Sequence, residues 1–104
     1  MNHIDQNVDA IEQTLSLLSG KWIALIIYHL LDKKVLRQCD FKKLFPTISQ
    51  KMLTKQLRFL EEKQIITRQI YSEIPPKVTY TLTQYGLTLE QPINALQAWG
   101  KTEN

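Results

Sequence analysis

Four polar side chains, Gln50, Lys51, Thr54 and Lys55, recur at helical spacing in the run SQKMLTKQLRF (residues 49–59), and their chemistry suits the base edges of duplex DNA. Lysine and arginine donate to guanine O6 and N7 or neutralise phosphates, and a glutamine carboxamide can meet adenine N6 and N7. At about 100° per residue, Gln50, Thr54, Arg58, Lys51 and Lys55 share an arc of about 140° on a helical wheel. Leu53, Leu57 and Leu60 fall on a separate side, where they can dock on a core. A helix laid in a groove contacts base edges near its N-terminal end. Gln50, Lys51, Thr54 and Lys55 are therefore the candidates for base reading and Arg58 for phosphate. Ser49 suits the helix N-cap, and with the free N–H groups behind it is a second phosphate candidate. The same residue types also clothe an ordinary solvated helix face, so the helix alone leaves both readings open.

The residues that follow favour DNA. From Lys42 to Lys77 there are eight Lys and Arg against three acids, a local balance of +5; the whole chain carries +3, so the remainder sums to −2. The run 65–71 is rich in β-branched residues, and 77–83 alternates, with Val78, Tyr80 and Leu82 on one face and Lys77, Thr79, Thr81 and Thr83 on the other. Two such runs joined through Ser72-Glu73-Ile74-Pro75-Pro76 predict a β-hairpin. Lys77, at its exit, can reach a phosphate or the minor groove, as can the Tyr71 hydroxyl. Arg68 shares strand parity with Ile66 and Ile70, which suits a snorkelling, structural side chain as well as a DNA contact.

The elements that must hold this helix and hairpin are also legible. Val8, Ile11, Leu15 and Leu18 have helical spacing, and Gly20 permits a break. The run 21–31 is apolar almost all round, which predicts the central helix of the core. A polar turn at 32–34, a very short strand at Val35-Leu36, and a helix starting at Gln38 or Asp40 and stopped by Pro46 lead to the reading helix, expected to run from Ser49 to about Lys63. The spacing of Leu89, Ile93, Leu96 and Trp99 predicts an amphipathic helix over 84–101, kinked at Pro92. The sum is a mainly α fold with a small β-hairpin wing, a winged helix-turn-helix in one domain spanning 1–104.

Several classes are excluded. His3 and His29 are the only histidines, and no Cys/His or His/carboxylate spacing suggests a metal site. With three glycines in all there is no phosphate-cradling loop or nucleophile elbow, and no catalytic constellation or cofactor motif is visible. His29 lies on the apolar second helix and reads as a core or interface histidine. No signal peptide or long apolar run is present and the single cysteine, Cys39, cannot form an internal disulfide; a soluble cytoplasmic protein with no membrane partner is the expectation.

TLSLLSGKW (14–22), PTISQKMLTKQLRFLEEKQIITR (46–68), IYSEIPPKVTYTLTQYG (70–86) and LEQPINALQAWG (89–100) together resemble the HxlR-type subgroup of winged-helix bacterial transcription regulators, related in fold to the MarR group. The resemblance covers nearly the whole chain. It implies a DNA-binding regulator, most often a repressor, that binds a two-fold operator as a homodimer, with one recognition helix per subunit in a major groove. Several members of that family sense oxidants through a cysteine before the first helix, at the position aligned with Asp9 and Ala10 here. This chain has no thiol there, so the switch does not carry over. Cys39 is the remaining redox candidate: it stands near a helix N-terminus with Arg37 and Lys42 close in sequence, whereas a lone cysteine is more often a small packing residue.

The resemblance implies dimerisation through the terminal helices, at about 7–18 and 84–101. Val8, Ile11, Leu15, Leu89, Ile93, Leu96 and Trp99 offer more apolar surface than one small domain easily covers, and two-fold dimers are the commonest solution. The same stripe could instead only close the core of one protomer. A second class of function remains beside the regulator: a winged-helix protein-interaction module without specific DNA binding, since fold does not fix function.

Overall fold

The structure, a computed structural model, describes residues 3–103, so the outermost residues of the domain read as 1–104 lie outside it. The described elements are α1 (His3–Leu17), α2 (Ile23–Lys33), α3 (Gln38–Leu44), α4 (Gln50–Glu62), β1 (Ile66–Tyr71), β2 (Lys77–Leu82), α5 (Gln84–Leu87) and α6 (Glu90–Glu103). This is a winged helix-turn-helix: α3 and α4 form the helical pair and β1–β2 the wing.

The core forms around α2, whose Ile23, Ile26, Ile27 and Leu30 are buried. Against it pack Phe41 of α3, Phe45 and Ile48 of the following turn, Leu53, Leu57 and Leu60 of α4, then Ile65, Ile66, Tyr80 and Ile93. Full burial of each α4 leucine contributes roughly 2 kcal/mol, which is why that face, and not the polar arc, turns inward. α3 ends at Leu44 because Pro46 keeps Phe45 out of the helical conformation, at φ −124° and ψ 77°. α4 stops where Gln64 takes a left-handed conformation (φ 60°) and the Ile65 N–H donates back to the Leu60 carbonyl at 2.9 Å.

The wing is an antiparallel pair in the register Ile66↔Leu82 to Tyr71↔Lys77. Leu36 adds a single bridge on the far edge of β2, its N–H donating to the Tyr80 carbonyl and its carbonyl accepting from the Tyr80 N–H. This bridge is all that exists of the short strand expected at Val35-Leu36. In β1 only Ile66 is buried, so Arg68 and Ile70 share its parity without its cover. Thr79, expected on the wet face, is buried: β2 is flanked on both edges, and a short side chain between longer ones keeps little surface.

Three further expectations are corrected. The first helix begins at His3, not near Val8. Asp32 and Lys33 belong to the last turn of α2, and the turn proper is Lys34 at φ 75°, whose N–H caps the Leu30 carbonyl. The helix expected over 84–101 is two helices with the break at Thr88-Leu89. Thr83 caps α5 through its hydroxyl, and Pro92 sits third in α6, within the first turn where its missing N–H costs nothing, so no kink arises there.

His29 meets the rings of Tyr28 and Phe45 edge-on, at 5.1 and 5.3 Å between centroids. Its Nδ1 is buried without a hydrogen-bond partner. Burial lowers its pKa from the ordinary value; Asp32 nearby opposes that and Lys33 adds to it. No helix among the described residues is long and apolar enough to cross a membrane.

Candidate nucleic-acid interface

α4 is set up by its N-terminal turn. The Ser49 hydroxyl oxygen accepts from the Met52 N–H at 3.0 Å, so the side chain proposed for phosphate also caps the helix. Ile48 is buried just before it, and Lys42 Nζ donates to the Ile48 carbonyl, fastening α3 to the entry of α4. With Leu53, Leu57 and Leu60 anchored, Gln50, Lys51, Thr54, Lys55 and Arg58 line one open recess on the outer side, together with Phe59 and Glu62. Gln50, Lys51, Lys55 and Arg58 are exposed and Thr54 is half-buried. The five candidates on this helix thus share a single surface. It is cationic toward its middle and acidic at the Glu62 end, so a polyanion is favoured along the N-terminal and central turns.

The wing supplies the other candidate. Lys77 is half-buried, its ammonium 5.1 Å from the centre of the Tyr71 ring across the strand pair. That contact holds the charge at the base of the hairpin tip without neutralising it. Arg68 is engaged elsewhere: its Nε lies 3.4 Å from Glu61 Oε1, which ties the wing to the last turn of α4. Both side chains remain partly in water, so the pair orients more than it stabilises. At the tip Ile74 is fully exposed next to Glu73.

One residue that sequence reasoning missed reaches this surface. Gln38, at the start of α3, donates through Nε2 to the Tyr80 hydroxyl at 3.2 Å and accepts at Oε1 from Gln50 Nε2. No local signal reveals it, since its partners lie 12 and 42 residues away. Cys39 is exposed as the second residue of α3, and the Lys42 ammonium that could have faced it is spent on Ile48. Among the described residues no group of three or more His, Cys, Asp or Glu gathers as a metal site would.

The terminal helices behave differently from the rest. Every residue from 6 to 16 of α1 and from 94 to 99 of α6 is exposed. Val8, Ile11, Leu15, Leu96 and Trp99 are 44–67% exposed, whereas Leu89 is half-buried and Ile93, at 4%, belongs to the protomer's own core.

A family model described as HxlR-like helix-turn-helix matches residues 17–104. An uncharacterized HTH-type transcriptional regulator, YdeP of Bacillus subtilis (strain 168), is 47% identical over 91 residues, covering 88% of this chain and 70% of that protein. Among solved structures, the redox regulator HypR in its oxidized form superposes with a TM-score of 0.84 at 41% identity, over 89% of this chain and 95% of that one. The reduced form of the regulator YodB from B. subtilis does so at 0.77 and 41%, over 86% and 87%.

Proposed function

The chain belongs to the HxlR-like helix-turn-helix family and is a transcriptional regulator with a helix-turn-helix DNA-binding domain; on that premise we propose that it acts in the cytoplasm as a repressor, binding a pseudo-palindromic operator as a homodimer. The observation that carries the reading is the open face of α4, where Gln50, Lys51, Thr54, Lys55 and Arg58 stand together over three buried leucines. In the proposed complex the first four read base edges in the major groove, while Ser49, Arg58 and Lys77 hold phosphates. Phosphate contacts set register and base contacts set sequence, so the two groups have separable effects.

The two-fold arrangement is supported by the bare terminal helices. An isolated helix as exposed as α1, bearing Val8, Ile11 and Leu15 in one stripe, is poorly stable in water unless something covers it. A second copy supplies the matching stripe, with Leu96 and Trp99 of α6 beside it. Leu89 contributes at the edge of this surface, and Ile93 supports it from beneath. A dimer then presents two reading helices to successive turns of one DNA face, about 34–36 Å apart.

The other reading, an interaction module that reads no DNA, finds support at the wing tip alone, where Glu73 and the bare Ile74 are acidic and apolar. A gel shift with random duplex at low salt separates the two. Binding at micromolar protein that weakens steeply as salt rises is the expected result for the regulator; no binding favours the module.

A further inference from the structure

Gln38 stands on α3, outside the row of candidate readers on α4, yet it is bonded to the foremost of them. Its anchor is firm: Tyr80 is 3% exposed, bridged through both backbone polar groups to Leu36, and its ring packs against Phe41 at 6.4 Å between centroids. From that anchor the Tyr80 hydroxyl oxygen accepts from Gln38 Nε2, and Gln38 Oε1 accepts from Gln50 Nε2. Gln50 Nε2 also faces Thr54 Oγ1, at 3.4 Å. A carboxamide has two N–H donors on nitrogen and an acceptor oxygen. With its nitrogen turned inward to two protein oxygens, Gln50 offers the groove its Oε1.

In the major groove an acceptor is complemented by the N6 amino group of adenine or the N4 amino group of cytosine, whereas guanine presents O6 and N7 and thymine O4, all acceptors. We propose that Gln38 is a positioning residue for specificity, holding Gln50 carbonyl-outward so that the base beneath it must be adenine or cytosine and not guanine or thymine. A glutamine free to turn would accept guanine as well, by donating from Nε2 to N7 or O6. The Thr54 and Tyr80 hydroxyls each donate and accept and would serve either end of an amide, so the orientation of Gln50 follows from the Gln38 carboxamide, whose Oε1 faces it. The proposal rests on the reading of Gln50 as a base contact.

The test is selection from a randomised duplex library with the full chain and three variants, Gln50→Ala, Gln38→Leu and Gln38→Glu, each checked for an unchanged melting transition. Gln50→Ala should flatten the preference at one position per half-site. There the unaltered protein should favour adenine or cytosine over guanine by about tenfold, within the range of one good base contact. Gln38→Leu should reduce that preference to about threefold or less, and Gln38→Glu, which keeps an oxygen acceptor for Gln50 Nε2, should retain it. If Gln50→Ala flattens no position, the base-reading role of Gln50 fails and the proposal with it. If it flattens one but Gln38→Leu keeps the original preference there, or the unaltered protein selects guanine or thymine, the Gln38 proposal is overturned while Gln50 remains a reader.

Discussion

The Ile65 carbonyl oxygen stands 2.1 Å from the point that a Cβ on Gly86 would occupy. Around this contact the Thr83 hydroxyl donates to the Gln64 carbonyl at 2.7 Å and accepts from the Gly86 N–H at 2.9 Å. The end of the reading helix, the root of the wing and the start of α5 are therefore clasped at one point. Backbone, not a flexible side chain, is the obstacle. Gly86→Ala should destabilise the fold by roughly 2–4 kcal/mol, since overpacking here forces main chain to move. Urea unfolding measures this, and an unchanged midpoint would contradict the packing.

Arg58→Ala and Lys77→Ala should each weaken binding by similar factors on every sequence tested. Each should also lower the slope of log affinity against log salt by about 1, the mark of a lost phosphate contact. Titration of the operator and of an unrelated duplex across a salt series gives both quantities. A change in the preferred bases at constant salt slope would instead make that residue a base reader.

Leu15→Asp places a charge in the exposed stripe of α1, at a residue that is 64% exposed in the protomer and is not part of its core. The unaltered chain should have the mass of a dimer by light scattering at tens of micromolar protein, and the variant that of a monomer with the same helical content. Operator affinity should fall with the mass, because one reading helix gives up the second half-site. A monomeric mass for the unaltered chain contradicts the dimer.

His29 gives a pH signature. Burial lowers its pKa from the ordinary 6.5, with Asp32 opposing the shift and Lys33 reinforcing it. The unfolded chain thus takes up a proton before the folded one as pH falls. The contribution of neutral His29 is complete above about 6.5 and is lost as pH drops from there toward the folded value. His29→Phe keeps an aromatic ring between Tyr28 and Phe45 and removes the titration. Its melting temperature should fall less than that of the unaltered chain between about pH 7.5 and 5.5; equal falls would show that folding leaves the pKa of His29 unshifted.

What the sequence made legible is what local periodicity encodes. The three leucines of α4 declared its buried face, Ser49 its start, and the alternation from Val78 to Leu82 the second strand. Features created by tertiary approach were silent. Gly86 is one small residue until the Ile65 carbonyl lies over it, and Gln38 is one polar residue until Tyr80 and Gln50 reach it. Thr79 has a side chain equally at home in water, so only the flanking of β2 on both edges buries it. Ile93 shares its spacing with Leu96 and Trp99, yet of the three it alone is buried in the core; periodicity finds a stripe but not which of its members the protomer keeps. The split at Thr88-Leu89 was hidden because the apolar spacing carries across it.

The measurement closest to the central claim is the affinity of the unaltered chain and of the Lys51→Ala/Lys55→Ala double variant for an operator selected from native genomic fragments, each compared with random duplex at physiological salt. Both lysines are exposed, so their removal should leave the fold intact. The unaltered chain should bind the operator about a thousandfold or more above random duplex, and the double variant should lose most of that ratio with an unchanged melting curve. Equal affinity for the two duplexes, or a double variant that still discriminates them as well as the unaltered chain, would contradict α4 as the reader of sequence.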